Sequence, residues 1–121
     1  MNNLLLNGDD PFARLNLRLR VGDHIIDRGS LRVVTHPARV RLTGKAMAVL
    51  IELARHAGDT VTRDELMKRV LHDRATTGNV LAQAIRRLRI AFADNSEGSP
   101  YIETVPRIGY RLVVGTSIVI L

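Results

Sequence analysis

The stretch "AIRRLRIAF", residues 84–92, places three arginines among apolar residues at the spacing of an amphipathic helix. A guanidinium group can donate two hydrogen bonds to the O6 and N7 atoms of guanine, and the amide of Asn or Gln can pair with adenine. A helical wheel with about 100° per residue puts Arg89 on the flank of the apolar stripe. The polar side chains that it points away from the stripe are Asn79, Gln83, Arg86 and Arg87.

Charge is concentrated around this stretch. The chain of 121 residues has a formal net charge of +6, and residues 66–93 hold six basic side chains against Asp73 alone. Such a local excess of positive charge indicates a polyanionic partner. The alternative is an ordinary solvated surface that happens to be basic, since side chains of this kind also cover many exposed helices.

The elements before this helix begin with predicted strands. Apolar and polar residues alternate from Leu15 to Val21, which is typical of a strand with one buried face. Turn signals follow at Gly22-Asp23 and in "DRGS", and Pro37 ends a further strand. Residues 14–43 are therefore predicted to form an antiparallel meander of three or four strands.

The apolar period changes to that of a helix after Thr43, which can cap the helix that Gly58 ends. Thr62 and Glu65 have the spacing of a capping box, which predicts a second helix from about Arg63 to Leu71. A third helix is predicted from about Asn79 to Ala93. Its buried stripe is expected to contain Leu81, Ile85, Leu88 and Phe92.

Two further strands, "YIETV" and "YRLVV", are joined by "PRIG", which predicts a β-hairpin. The order of elements indicates an α+β fold: a winged helix-turn-helix with an N-terminal antiparallel β-sheet, a three-helix core and a C-terminal β-hairpin wing. Arg107, beside Pro106 at the hairpin tip, is placed to enter a minor groove or to contact a phosphate.

Enzyme and metal chemistry find little support. The chain has no cysteine, so disulfides and thiolate metal sites are excluded. The four histidines show no ligand spacing, and the G-x-S-x-G motif of a nucleophile elbow is missing. We expect no enzymatic activity, no metal, no cofactor and no small-molecule substrate. The apolar C-terminal run is too short to span a bilayer, and we expect a soluble, cytoplasmic protein.

Three segments together resemble the effector domain of OmpR/PhoB-type transcriptional regulators, and within that family the CadC-like branch. They are "RLTGKAMAVLIELARHAGDTVTRDELMKRVL", "AIRRLRIAF" and "YIETVPRIGYRLV". The resemblance covers about residues 15–114. It implies an N-terminal arm over residues 1–14, a winged-helix DNA-binding domain over 15–114 and a C-terminal tail over 115–121. No receiver domain precedes the first predicted strand, so we expect an isolated effector domain, either by nature or because it was cut from a longer protein.

The resemblance implies sequence-specific binding to double-stranded promoter DNA, with helix 79–93 in the major groove and the wing, residues 105–110, on the minor groove or the backbone. It also implies a homodimer on DNA and a contact with RNA polymerase through the loop between the second and third helices. The DNA-binding residues expected are Arg74, Thr77, Asn79, Gln83, Arg86, Arg87, Arg107 and Arg111. The polymerase-contact loop is expected to include His72, Asp73 and Arg74.

A second function stays open. A winged-helix domain with a basic face could instead bind a protein or RNA. Ile90 lies on the outward face of the third helix, where it could mark a protein interface, and Ile108 stands at the wing tip where the family usually has a polar or basic residue. Salt-dependent binding to duplex DNA separates the two functions.

Overall fold

The computed structural model describes residues 10–71, 78–93, 101–113 and 118–121, in which three α-helices and two antiparallel sheets enclose one apolar core, preceded by a short 3-10 helix (Pro11–Ala13). The N-terminal sheet contains β1 (Arg18–Val21), β2 (His24–Asp27), β3 (Arg32–Thr35), β4 (Ala38–Arg41) and β8 (Ile118–Ile120). The smaller sheet contains β5 (Thr60–Thr62), β6 (Ile102–Val105) and β7 (Gly109–Leu112). The helices are α1 (Gly44–Arg55), α2 (Arg63–Leu66) with a following π-helical turn (Met67–Leu71), and α3 (Gly78–Ala91). None of the helices within these residues has the length and apolar character that crossing a bilayer requires.

The first four strands form the predicted meander, in the order β4-β3-β2-β1. Antiparallel register places Leu19 opposite Ile26 and Ile26 opposite Val33. All three side chains are at most 1% exposed, so this row belongs to the face that covers the core. Successive side chains of a strand point to opposite faces of the sheet. The arginines of β1, β3 and β4 alternate with the inward-facing residues, so they lie on the outer face, in contact with solvent.

The start of the first strand differs from the prediction. Leu15 was expected to be a buried strand residue, but its side chain is 81% exposed. The chain turns here, because the amide of Leu17 donates to the carbonyl of Arg14 at 3.2 Å, and β1 begins only at Arg18. The alternation of apolar and polar residues therefore begins at Leu15, in the turn that precedes β1.

Strand β8 adds a fifth strand to the meander. It pairs with β1 in antiparallel fashion, with Ile120 opposite Leu19 and Ile118 opposite Val21. The amide of Leu121 also donates to the carbonyl of Arg18 at 2.9 Å. Residues assigned to a C-terminal tail thus include a strand of the main sheet, and the proposed end of the domain at residue 114 stays a prediction.

The described end of the N-terminal arm also contacts the domain. Asp10 forms an ion pair with Arg55 at the end of α1, and this guanidinium lowers the pKa of the Asp10 carboxyl below its ordinary value. Arg28 donates to the carbonyls of Phe12 and Arg14 at 2.9 and 3.1 Å. These contacts fix residues 10–14 to the domain.

Helix α1 has the boundaries that its sequence predicts. The hydroxyl of Thr43 accepts a hydrogen bond from the amide of Ala46 at 3.1 Å, which satisfies one free donor of the first turn. Gly58, with a φ of 88°, adopts the left-handed conformation common just after a helix. The side chains of α1 that are buried against the rest of the core are Ala46, Met47, Val49, Leu50, Ile51, Leu53 and Ala54.

Helix α2 begins with the predicted capping box. The amide of Glu65 donates to the hydroxyl of Thr62 at 3.1 Å, and the amide of Thr62 donates to the carboxylate of Glu65 at 3.3 Å. The hydroxyl of Thr62 also donates to this carboxylate, at 3.1 Å, and the two hydrogen bonds from Thr62 favour the charged form and lower the pKa of Glu65. Leu66 is fully buried, as expected for the inward face of this helix.

Helix α3 buries the predicted stripe. Leu81, Ile85, Leu88 and Phe92 are each at most 2% exposed. The Phe92 ring lies 4.8 Å from the buried ring of His24 in β2 and 4.9 Å from that of Tyr101 before β6. One face of α3 is therefore fixed between the N-terminal sheet and the start of the hairpin.

The predicted hairpin is present as β6 and β7, and β5 pairs with the other side of β7. Gly109 faces Thr62 in this pairing. A Cβ atom at Gly109 would overlap the carbonyl of Val61 and the Cα of Thr62, both of which are backbone atoms that cannot rotate away. Glycine is thus required where the hairpin crosses the segment that leads into α2.

Candidate nucleic-acid interface

The outward face of α3 carries the polar side chains that the helical wheel predicted there. Gln83, Arg86 and Arg87 are exposed and, together with Ile90, line one shallow cleft. Their spacing of i, i+3, i+4 and i+7 explains why they share a face. Asn79 is also exposed, in the first turn of the helix. The structure therefore brings four of the predicted contact residues onto one helix.

A second shallow cleft joins this face to the start of α1. The α1 cap residue Thr43 and Lys45 line it on one side, and Gln83 and Arg87 of α3 line it on the other. The charge of Lys45 adds to that of the two arginines. Sequence reasoning missed Lys45, because only the packing of α1 against α3 places it beside the outward face of α3.

The wing tip is a tight turn that exposes Arg107. The amide of Ile108 donates to the carbonyl of Val105 at 3.0 Å, and Pro106 and Arg107 occupy the two central positions. Arg107 has a φ of 69°, a left-handed conformation that turns of this type usually reserve for glycine. An arginine in this strained position presents its guanidinium at the end of the hairpin.

Three of the predicted contact residues carry charges that no acidic side chain among the described residues neutralises. Arg86, Arg87 and Arg107 have no ion-pair partner among the residues that the structure describes. All three are exposed. They are therefore available for an external anion.

Arg111 is in a different situation. It lies on β7 directly opposite Glu103 of β6, and the two side chains form an ion pair. Its side chain is 38% exposed. The carboxylate of Glu103 competes with any external anion, so a DNA contact by Arg111 stays a prediction that the ion pair makes less favourable.

Arg89, which was not predicted as a site residue, connects the helix to the wing. Its guanidinium donates to the carbonyl of Ile102 at 3.1 Å and to the hydroxyl of Thr104 at 2.8 Å. Both partners belong to β6. The wheel placed Arg89 correctly on the flank of α3, but its role depends on a strand 13 residues further along the chain.

The remaining predicted contacts cannot be placed on this surface. Arg74 and Thr77, and the polymerase-contact residues His72 and Asp73, lie outside the described residues. Their roles stay predictions.

Comparison with known proteins identifies the family. A family model described as "Transcriptional regulatory protein, C terminal" matches residues 37–112, which include the three helices and the hairpin. The chain belongs to this family. It is a family of transcriptional regulators and not of enzymes, and it is the OmpR/PhoB-type family that the sequence resembles.

Relatives in this family share part of their length with the chain. The transcriptional activator CadC of Escherichia coli is 34% identical over 97 residues, which are 79% of this chain and 19% of CadC. The regulatory protein AfsQ1 of Streptomyces coelicolor is 30% identical over 92 residues, or 75% of this chain and 41% of AfsQ1. The chain thus spans less than half the length of these relatives.

Solved structures of the family share the fold. The DNA-binding domain of E. coli CadC superposes with a TM-score of 0.75 at 30% identity, covering 89% of this chain and all of that domain. The DNA-binding domain of Klebsiella pneumoniae RstA, solved in complex with the RstA box, gives 0.65 at 32% identity over 79% of this chain and 96% of RstA's domain. The winged-helix fold predicted from the sequence is confirmed.

Proposed function

We propose that this domain binds double-stranded DNA sequence-specifically as part of a transcriptional regulator. Helix α3 lies in the major groove, and the hairpin tip contacts the minor groove or the backbone. The observation that carries the proposal is the exposed face of α3, where Gln83, Arg86 and Arg87 line one cleft without a neutralising acid among the described residues. Family membership and the DNA complex of the related RstA domain support it.

The chemistry of that face suits base edges in the major groove. Arginine can fork onto guanine, and glutamine can pair with adenine, so side chains of these two types can distinguish bases as well as add affinity. Lys45, at the start of α1, lies beside the same cleft and is placed to meet a phosphate at the rim of the groove. A lysine acts there as a point charge, which adds affinity without sequence preference.

The proposal is tested by selecting bound sequences from a random duplex pool. We expect one enriched motif, bound more weakly as salt rises, because contacts with phosphates release counterions. Enrichment of no motif, together with binding that does not depend on salt, would contradict the proposal and favour the protein- or RNA-interaction module.

Three more detailed features of this function are supported only by the resemblance to the family. We propose that the natural target is promoter DNA, that two copies bind one site, and that the segment containing His72, Asp73 and Arg74 contacts RNA polymerase. The spacing of half-sites in the enriched motif tests the second of these, since a dimer binds two half-sites separated by about one helical turn or a multiple of it.

The wing should contribute to affinity separately from the helix. Arg107→Ala is expected to weaken binding to all sequences alike and to lower the slope of log affinity against log salt by about one unit, as loss of one phosphate contact does. The melting temperature should be almost unaltered, because an exposed turn residue has few contacts to lose. Titrations at four or more salt concentrations measure the slope. An unchanged slope with unchanged affinity would show that the hairpin does not touch DNA.

A glycine at the same position separates backbone strain from charge. Arg107→Gly removes a left-handed arginine, so it should stabilise the domain by about 1 kcal/mol in a denaturant melt while weakening DNA binding as much as alanine does. Arg107→Lys retains the charge and should preserve the salt slope. If the glycine variant bound DNA as tightly as the parent, the arginine at this strained position would have no role in DNA binding.

Arg89 should act as a positioning residue, because its hydrogen bonds hold β6 against α3. Arg89→Ala is expected to weaken DNA binding and, in the same protein, to reduce the additional effect of Arg107→Ala, since a wing that is no longer fixed contributes less to the complex. A double-mutant cycle measured by fluorescence anisotropy checks this coupling. Strictly additive effects would show that the wing finds the DNA without Arg89.

A further inference from the structure

Ile90 is the most exposed large apolar side chain in the helices that the structure describes. It is 63% exposed near the end of α3, whereas Leu88, two residues earlier, is completely buried. Single exposed apolar residues are common on proteins and need no explanation by themselves. The position of Ile90 is different, because it borders the same cleft as Gln83, Arg86 and Arg87.

The cleft therefore combines an apolar wall with guanidinium and amide donors. Arg86 and Ile90 are one helical turn apart, a separation of about 6 Å along the axis. Successive bases of one DNA strand are about 3.4 Å apart, so a helix lying along the groove would place these two side chains about two base pairs apart.

The major groove offers few apolar groups at base edges. The C5 methyl of thymine is the one that distinguishes a T·A pair, and side chains that recognise it do so by apolar contact. An isoleucine that faces the groove among hydrogen-bond donors fits this methyl group and cannot satisfy the polar edge of guanine or cytosine.

We propose that Ile90 is a specificity-determining residue that contacts the C5 methyl of a thymine, about two base pairs from the base that Arg86 reads. The proposal rests on the proposed function, since it assigns one position of the site that α3 reads. It gives the cleft a composite preference, with hydrogen-bond readout at one base pair and methyl readout about two base pairs away.

The test uses the duplex enriched from the random pool, with each thymine replaced in turn by deoxyuridine. This replacement removes only the methyl group and leaves base pairing intact. We expect one such replacement to weaken binding by the parent protein about fourfold, which corresponds to the burial of one methyl group. The Ile90→Ala variant should bind the thymine and uracil duplexes equally well.

Two controls make the assignment specific. Val119→Ala shortens an exposed apolar residue of β8, on a different element, and should retain the full preference for thymine. The sensitive thymine should lie within about two base pairs of the position whose base preference Arg86→Ala relaxes. Thermal melts of the Ile90→Ala, Val119→Ala and Arg86→Ala variants check that each of them folds.

The possible outcomes distinguish the two levels of the argument. If the parent binds its selected duplex but no deoxyuridine replacement weakens it, the assignment of Ile90 is wrong and the proposed function stands. If Ile90→Ala retains the preference for thymine, another side chain reads the methyl group. If Ile90→Ala leaves DNA binding unchanged but changes the molar mass measured by light scattering, Ile90 serves a protein interface instead. If no duplex is enriched, the proposed function itself fails.

Discussion

Replacing Arg86 and Arg87 together with alanine is expected to produce the largest loss of DNA affinity of any pair of changes on this domain. Both side chains are exposed on the outward face of α3, and neither has an ion-pair partner among the described residues. Loss of a base-contacting arginine costs about 1–3 kcal/mol, so two such losses correspond to a decrease in affinity on the order of 30-fold or more.

The two single variants indicate which arginine reads a base. Loss of a base contact relaxes the preference at one position of the site, whereas loss of a phosphate contact weakens all sequences alike and reduces the salt slope by about one unit. Repeating the duplex selection with each variant distinguishes these results. Folding should be unaffected, because neither side chain contributes to the core.

A matched control separates local contact from net charge. Arg32 and Arg39 are exposed on the outer face of the N-terminal sheet, and their replacement by alanine lowers the net charge by the same amount. We expect this variant to bind nearly as tightly as the parent. If the Arg86/Arg87 variant folds and binds DNA as well as the control does, α3 is not the recognition helix.

The parts of this fold that the sequence predicts are those determined by neighbouring residues. The capping box of Thr62 and Glu65 depends on residues three apart, and the buried stripe of α3 follows from helical spacing alone. Arg86 and Arg87 could be placed on the exposed face for the same reason. Local periodicity thus identified both the helix and the face that carries the proposed site.

The parts that the sequence did not predict depend on distant partners. The role of Arg89 requires β6, and strand β8 pairs with β1, which lies about a hundred residues earlier. Lys45 lies beside the outward face of α3 only because α1 packs against α3. Sequence periodicity cannot predict such pairings, because it does not show which distant element a given exposed residue will contact.

The left-handed conformation of Arg107 was missed for a related reason. Pro106 predicts a turn, but a position with positive φ is usually filled by glycine, and "PRIG" places its glycine two residues later. That glycine is required for a different purpose, the close approach of β7 to β5. The hairpin register therefore fixes Gly109 and leaves the strained position to an arginine.

The second large effect is expected on stability, from Leu88→Ala. Leu88 is completely buried in the middle of the stripe by which α3 packs on the core. Deleting its side chain removes apolar contacts and leaves a cavity, and replacement of a buried leucine by alanine costs about 2–5 kcal/mol. Urea denaturation followed by circular dichroism measures this loss as a change in the free energy of unfolding.

The control for Leu88 is Ile90 in the same helix. Ile90→Ala removes a side chain of similar size that is 63% exposed, so it should change the free energy of unfolding by less than about 0.5 kcal/mol. The two variants therefore differ in burial and hardly in chemistry. A loss below about 1 kcal/mol for Leu88→Ala, or equal losses for both, would mean that the faces of α3 are rotated from their assigned positions. Arg86 and Arg87 would then no longer face outward, and the argument that places α3 in the major groove would fail with the stability result.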